Sequence, residues 1–294
     1  MLLDYARRGL DRLAAPKGAW FRPRAIEPVH GVGLEYLGTA GFVVRGHGRT
    51  LVLDPYVSRP GPVESLTRPL VSDDALVARL LPEADDVLIG HAHHDHILDA
   101  PALCRRTGAR LIGSRAACMV GRAAGLPESQ LRETAGREDI ESGAFTLRGL
   151  PSRHGKAIFG RVPLPGDLTE PPPWPPRITD LRHGLVLNWR LEVGGFSIVH
   201  VDSADFIDEE LAGLRADVLC LCAVGRHYRP DYVKAIVSAL RPRWVVPCHW
   251  DTMLTPIEAT PHLIPGVDLP GMFEEIRQAG SVALPMPILG RVRF

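Results

Sequence analysis

The stretch VLIGHAHHDHILD, residues 87–99, carries an apolar run directly into four histidines and two aspartates. Residues 86–89 are predicted to form a strand, and their apolar side chains are typical of a strand buried on both faces. Imidazole nitrogens and carboxylate oxygens are ligands that zinc and related divalent cations take in proteins. The stretch therefore predicts part of a metal site at the C-terminal end of a buried strand.

The spacing of these side chains favours two metal ions over one. On an extended segment His91 and His93 project from the same side, because successive side chains alternate between faces. Asp95 and His96 then turn away, which suits a second, adjacent ion. His94 stands outside this pattern and is predicted to face solvent or to support its neighbours.

Three further residues of ligand type, His154, Asp202 and His249, each directly follow a predicted strand. Strand ends that meet at one edge of a sheet are a common place for binding sites. A buried cluster of such residues without a metal would carry unmet polar groups and a large desolvation cost. We therefore expect these three residues to join the histidine stretch in one site.

The rest of the chain alternates predicted strands with predicted helices, an order that favours sheets covered by helices. The predicted strands are residues 33–37, 41–45, 50–53, 86–89, 110–112, 139–140, 145–150, 185–193, 196–201, 217–222, 244–247 and 281–284. The predicted helices are residues 72–81, 100–107, 114–124, 207–214, 231–240 and 272–279. The order has a coarse twofold repeat, with strands first and helices after, then the same again.

Two segments rich in proline and glycine are predicted to lack regular structure. Residues 59–69 form a loop. Residues 162–177 contain eight prolines or glycines and form the centre of an insertion near residues 156–184. Long irregular insertions in compact domains are often binding loops. We therefore predict that this insertion covers the substrate, with Trp174 and His183 among the substrate contacts.

Residues 1–30 are predicted to form an amphipathic helix and an extended connector ahead of one large domain, residues 31–294. Apolar residues between positions 2 and 13 recur with the spacing of one helix face. Packing of this helix on the body of the protein, or on a second subunit of a homo-oligomer, is the favoured interpretation. Contact with a membrane surface is the alternative.

Composition excludes several classes of protein. The chain has 34 basic and 34 acidic residues, so no basic track for a nucleic-acid backbone is expected. Its 5 cysteines show no pairing pattern, which indicates reduced thiols and a cytoplasmic protein. Charged residues interrupt the apolar start of the chain, unlike a signal peptide, and no apolar run reaches the ~20 residues that span a bilayer.

The pattern of ligand residues resembles the signature of the metallo-β-lactamase fold superfamily. The matching residues are the motif His91-x-His93-x-Asp95-His96 and then His154, Asp202 and His249. The resemblance covers roughly residues 31–284 and implies an α/β fold, a four-layer αββα sandwich of two similar halves with the metals at one edge between the sheets. It also implies that one metal ion is held by His91, His93 and His154, that the other is held by Asp95, His96 and His249, and that Asp202 bridges them.

Within the superfamily, three short segments resemble one branch. Residues 37–41 (LGTAG), 53–55 (LDP) and 247–250 (PCHW) are similar to features of the L-ascorbate 6-phosphate lactonases and the N-acyl-phosphatidylethanolamine-hydrolysing phospholipases. Two departures stand against these. The proline-rich insertion is absent from the compact pattern, and Asp202 lies in Val-Asp-Ser-Ala where many members have Gly-Asp-Thr.

The resemblance implies a hydrolase with two divalent metal ions, zinc first and manganese or iron as alternatives. A hydroxide shared by the two ions would attack a phosphodiester, lactone or related ester of a small molecule. Asp95 would orient that hydroxide or pass its proton to the leaving group. His227 is predicted to stabilise negative charge on the substrate. An anionic substrate would be contacted by the neighbouring residues Arg226, Tyr228 and Arg229, which precede a predicted helix.

Three alternatives remain open. Persulfide dioxygenases resemble the same ligand pattern with a single iron, which would make the protein an oxidoreductase. A nuclease-like phosphodiesterase is disfavoured by the neutral net charge. A metal-binding protein without catalysis is the third.

Overall fold

The computed structural model describes residues 16–22, 24–157 and 159–294. The predicted amphipathic helix at residues 2–13 lies outside these ranges. Within them, the chain forms two seven-stranded sheets with helices on their outer faces.

The first sheet is built from the N-terminal half of the chain and its last strand. Its strands are β1 (Gly33–Gly38), β2 (Gly41–Gly46), β3 (Arg49–Leu53), β4 (Asp86–Leu88), β5 (Arg110–Gly113), β6 (Leu131–Glu133) and β14 (Arg291–Arg293). Their order in space is β14-β1-β2-β3-β4-β5-β6. Pairing is antiparallel from β14 to β3 and parallel from β3 to β6.

The second sheet repeats this plan. Its strands are β7 (Asp139–Ser142), β8 (Phe145–Ser152), β9 (Val186–Val193), β10 (Phe196–Val201), β11 (Val218–Cys222), β12 (Trp244–Cys248) and β13 (Val282–Ala283). Their order is β13-β12-β11-β10-β9-β8-β7, antiparallel from β7 to β10 and parallel from β10 to β13. The predicted αββα sandwich of two similar halves is confirmed.

The helices follow the strands in each half. They are α1 (Pro62–Thr67), α2 (Asp74–Leu80), α3 (His94–Ile97), α4 (Ala100–Thr107), α5 (Arg115–Ala123), α6 (Asp208–Leu211), α7 (Tyr232–Leu240) and α8 (Leu269–Gln278). Local signals explain several of their ends. The Asp73 carboxylate caps α2 by accepting from the Leu76 N–H, and Gly108 ends α4 with a left-handed φ of 79°.

Alternation along the central strands explains how two cores form. Leu51 and Leu53 point into the core between the sheets, where they join Trp189 of the second sheet. Val52 points the other way and packs in the cluster that contains Val77 of α2. Because successive side chains of a strand face opposite sides, a strand with apolar residues at every position can be buried on both faces.

Four elements differ from the expectations. Helix α1 lies inside residues 59–69, which were expected to be a loop, because the proline and glycine residues flank a run without either. The expected extended connector contains a 3₁₀ turn, Gly18–Phe21, and Trp20 packs edge-on against Phe273. Strands β6 and β14 have three residues each and no distinct sequence pattern, and they form by pairing with β5 and β1.

No helix among the residues that the structure describes is both long and apolar enough to cross a membrane.

Candidate metal centre

The histidine stretch leaves β4 at the edge of the first sheet and is held there by backbone hydrogen bonds. The Gly90 N–H donates to the Asp54 Oδ1 at 2.7 Å, and the Gly90 carbonyl accepts from the Leu187 N–H at 2.8 Å. The chain then runs extended through His93 and turns into α3 at His94. The first residues of the stretch are therefore strand-like and the last are helical, as the two-sided spacing requires.

The first group of candidate ligands contains His91, His93 and His154. The His91 Nε2 lies 2.9 Å from the His93 Nδ1. The His154 ring lies edge-on to both, with centroids 4.7 and 4.9 Å away. Nitrogens about 2.1 Å from one zinc ion lie roughly 3 to 3.4 Å apart, so this packing fits a shared cation.

The second group contains Asp95, His96 and His249. The Asp95 Oδ2 lies 3.3 Å from the His249 Nε2 and 3.7 Å from the His96 Nε2. Asp95 and His96 come from α3 of the first half, whereas His249 follows β12 of the second half. The second group is therefore assembled across the interface between the sheets.

Asp202 follows β10 and lies between the two groups. Its Oδ2 is 2.5 Å from the His91 Nδ1 and 3.8 Å from the His96 Nδ1. Its Oδ1 is buried and contacts no hydrogen-bonding group of the described residues. His91, His96 and Asp202 thus form a third set of donors that links the other two. A buried carboxylate oxygen without a partner at this position fits a cation, and the bridging role of Asp202 stays a prediction.

Electrostatics keep His91, His93, His96 and Asp95 in the forms that bind metals. Burial lowers the pKa of His91 and of His96 well below the usual value, and lowers the pKa of His93 to about 4. Their rings are therefore neutral near pH 7 and offer lone pairs. Burial by itself would raise the pKa of Asp95, but His96 and His249 hold that pKa well below its usual value, so the carboxylate is ionised.

Neighbouring groups orient the ligand rings. The His96 Nδ1 lies 2.9 Å from the Asp54 Oδ2, and the His154 Nδ1 lies 2.7 Å from the Gly155 carbonyl. A carbonyl can only accept, so the His154 Nδ1 carries the proton and its Nε2 keeps the lone pair. Asp54 was not predicted as a site residue. Its signal in the sequence was its position, an aspartate directly after β3.

Gly90 was also not predicted as a site residue. A Cβ at this position would lie 2.6 Å from the Asp202 Cγ and still closer to the Asp202 Oδ2. The stretch needs glycine here because the carboxylate occupies the space of a side chain.

The insertion lies directly on the first group. The Leu164 carbonyl is 3.4 Å from the His93 Nε2. The His183 ring lies 5.8 Å from the His93 ring and 5.5 Å from the His154 ring, and the His183 carbonyl accepts from the Ala92 N–H at 3.0 Å. The structure thus places His183 beside the ligands.

The other predicted substrate residues are placed differently. Trp174 is half-buried against the core of the first half. Tyr228 lies beside Gly160 at the start of the insertion, and its ring stacks near that of His227, with centroids 4.0 Å apart. The structure does not show Trp174 or Tyr228 in contact with any of the seven candidate metal ligands.

The two arginines have carboxylate partners. Arg226 pairs with Glu275 at 3.1 Å, and Arg229 pairs with Asp208 at 2.7 Å and with Asp205. Together with His227 they line a cavity of about 700 Å³ beside α7 and α8, whose described lining contains none of the seven ligand candidates. Their contact with substrate stays a prediction.

Comparison with known proteins agrees with this geometry. Residues 33–249 match the family described as the beta-lactamase superfamily domain. A UPF0173 metal-dependent hydrolase of Anaeromyxobacter sp. (strain K) is 30% identical over 231 residues, which are 74% of this chain and 74% of the relative.

Solved structures show the same fold at low identity. Igni18, described as a novel metallo hydrolase from the hyperthermophilic archaeon Ignicoccus hospitalis KIN4/I, aligns with a TM-score of 0.61 at 22% identity, over 90% of this chain and 98% of that one. CmlA, a diiron beta-hydroxylase from Streptomyces venezuelae, aligns with a TM-score of 0.59 at 17% identity, over 93% of this chain and 55% of that one. These two likenesses show the fold alone, whereas the family match and the relative at 30% identity show that the chain belongs to the UPF0173 metal-dependent hydrolases of the beta-lactamase superfamily.

Proposed function

We propose that the protein hydrolyses an ester bond of a small molecule, such as a phosphodiester or a lactone, with two divalent metal ions. The observation that carries the proposal is the pair of adjacent ligand groups, joined by a third group through Asp202. One ion would be held by His91, His93 and His154, the other by Asp95, His96 and His249, with Asp202 between them. The resemblance to the lactonase and phospholipase branch suggests the same class of bond.

The ligand types suit zinc first, with manganese or iron as alternatives, since imidazole and carboxylate groups bind all three. Two such cations supply an ionised water near neutral pH and neutralise charge that develops on the substrate. Asp95 would act on a proton of that water or of the leaving group, because its carboxylate is ionised and lies within the second group.

The insertion supports a small substrate. Leu164 lies over His93, so a substrate must fit beneath or beside residues 162–177. Among the predicted substrate contacts, His183 is the best-placed candidate for contact with that substrate. Its Nδ1 donates to the Gly184 carbonyl at 2.5 Å, which leaves the Nε2 to accept a hydrogen bond from a hydroxyl or amide of the substrate.

A single-iron oxidoreductase is the second candidate. The three neutral histidines of the first group would hold one iron without help from the second group. The fold does not separate the two candidates, because it also occurs in CmlA, a diiron beta-hydroxylase.

The first test is a panel of esters, lactones and phosphodiesters, assayed on protein whose metal content has been measured. We expect close to two metal ions per chain and turnover that a chelator removes. His93→Ala or Asp202→Ala should abolish turnover and leave the protein folded by circular dichroism, because each removes a ligand without touching the core. His47→Ala is the matched control, since His47 is an exposed histidine that contacts the His30 carbonyl.

Two results would contradict the proposal. Near wild-type turnover in either ligand variant would disprove the ligand assignment. One iron per chain with oxygen uptake would favour the oxidoreductase.

A further inference from the structure

We propose that a buried ion pair, Arg59 with Asp251, positions His249 and thereby sets the affinity of the second ligand group for its cation. The inference rests on the proposed function, because it assumes a cation in each of the two groups. Neither residue belongs to the seven ligand candidates.

The pair is shielded from water and joins the two halves of the molecule. The Arg59 Nη1 donates to the Asp251 Oδ2 at 2.8 Å, and the two side chains are 1% and 0% exposed. Arg59 follows β3 of the first sheet, and Asp251 follows β12 of the second. The Arg59 Nη2 also donates to the Leu37 carbonyl at 3.1 Å. Gly38 leaves room for the guanidinium, because a Cβ there would lie 3.0 Å from the Arg59 Cζ and closer still to its Nη2.

Asp251 is connected to the backbone of His249 by two successive hydrogen bonds through Thr39. Its Oδ1 accepts from the Thr39 N–H at 2.7 Å and from the Tyr36 hydroxyl at 3.0 Å. The Thr39 carbonyl in turn accepts from the His249 N–H at 2.5 Å. Thr39 therefore links the ion pair to His249, since its N–H donates to Asp251 and its carbonyl accepts from His249.

The backbone matters more for His249 than for other ligands of the site. His96 and His154 each have the Nδ1 of the ring fixed by a neighbour, Asp54 or Gly155. The Nδ1 of His249 is buried and contacts no hydrogen-bonding group of the described residues. Apart from the contact of its Nε2 with Asp95 of the same group, its ring is therefore oriented by the position of its own main chain.

That main chain is strained. His249 has a left-handed φ of 52°, and Thr39 and Arg59 in the same network have φ values of 47° and 44°. Non-glycine residues adopt this conformation only when surrounding contacts impose it, and such residues cluster at functional sites. The ion pair supplies such contacts to both partners of the Thr39 to His249 hydrogen bond. Asp251 accepts from the Thr39 N–H, and Asp251 itself lies two positions after His249 and is held by Arg59.

The pair should therefore act on one ligand group and not on the other. Asp95 and His96 come from one turn of helix, α3, so their mutual position needs no contact between the sheets. Only His249 must be brought to them from the second half. Loss of the pair should move His249 and leave His91 and His93 unaffected.

The test measures the two metal dissociation constants by competition with a chelator, together with the metal content per chain. The main variant is Arg59→Met with Asp251→Leu, which removes both charges at similar volume and leaves no unpaired buried charge. His249→Ala identifies which constant belongs to the second group. We expect that constant to weaken ten- to a hundredfold, the usual effect of losing a group that orients a ligand, and the other to change less than threefold.

Milder variants keep the inference testable if the double variant does not fold. Asp251→Asn keeps an acceptor for the Thr39 N–H and should give an intermediate loss. Tyr36→Phe removes the contacts of its hydroxyl with Asp251 and with the Thr39 carbonyl but keeps the ion pair, and it should give the smallest loss.

The matched control is Arg110→Met with Asp86→Leu. Asp86 is a buried aspartate paired with Arg110 at 2.6 Å, and it begins β4, whose opposite end leads to the histidine stretch. This variant should lower stability and leave both dissociation constants unchanged. Equal weakening of both constants in the main variant, or no change in either, would overturn the inference. A wild-type protein with a single cation site would instead overturn the proposed function itself.

Discussion

Gly90 shows how closely the side chains of the site pack. Its backbone is held on both sides, by the Asp54 carboxylate and by the Leu187 N–H, so it cannot retreat from the Asp202 side chain. Its φ is not left-handed, so the need for glycine is one of space and not of backbone conformation. At the scale of single residues, the position of Asp202 depends on the absence of one methyl group.

We expect Gly90→Ala to lower kcat/KM at least a hundredfold, because a displacement of about 1 Å at a catalytic group has an effect of that order. The metal content per chain should fall as well, since Asp202 is displaced. Gly61→Ala is the control, because a Cβ at Gly61 meets no atom within 4 Å. Wild-type metal content and turnover in the Gly90 variant would show that Asp202 is not a ligand.

The insertion is the element that we expect to govern access to the site. It is anchored at several points, which include the Leu70 N–H to the Pro176 carbonyl at 2.7 Å. Leu168 and Leu181 are buried in the core of the first half. These contacts hold the segment beside His93, and its role as a binding loop stays a prediction.

Replacement of residues 162–177, which include Leu164 over His93, by a short glycine and serine linker should relax substrate selection and retain the metals. These residues include Trp174 but none of the ligand candidates. The ratio of kcat/KM for a small ester to that for a bulky ester should fall at least tenfold, because the bulky ester no longer meets the cover. Trp174→Ala should act in the same direction to a smaller extent. An unchanged ratio in both variants would argue against a cover over the substrate.

At the scale of the whole molecule, the contact between the two sheets buries His200, and this burial affects how stability depends on pH. It lies on β10 of the second sheet, and its Nε2 donates to the Ala40 carbonyl of the first at 2.8 Å. Burial lowers the pKa of His200 from 6.5 to about 4. The unfolded chain therefore binds this proton at a higher pH than the folded chain, and stability falls as the pH drops from about 6.5 to about 4.

We expect His200→Gln to reduce the pH dependence of stability. The free energy of unfolding of chelator-treated protein would be measured by urea denaturation at pH 7 and pH 4.5. Over this interval the variant should lose roughly 2 to 3 kcal/mol less than the wild type, because a pKa difference of one unit corresponds to about 1.4 kcal/mol. Equal losses would show that His200 is accessible to protons in the folded protein.

Much of the fold, and the gathering of most of the candidate ligands in one place, were predictable from local signals. The period of apolar residues marks the strands, and ligand-type residues at their ends mark His91, His154, Asp202 and His249. The failures have local causes as well. Helix α1 is a short run between prolines and glycines, and β14 consists of two arginines around a valine.

The sequence by itself determined where most of the strands form and which of them end in side chains of metal-ligand type, because both depend on neighbours within a few residues. Only the tertiary structure decided what holds those side chains in place. Arg59 and Asp251 are 192 positions apart, and His91 and Asp202 are 111 apart. No periodicity or spacing relates residues at such separations. Their contacts exist because two sheets pack face to face and bring their strand ends to one edge.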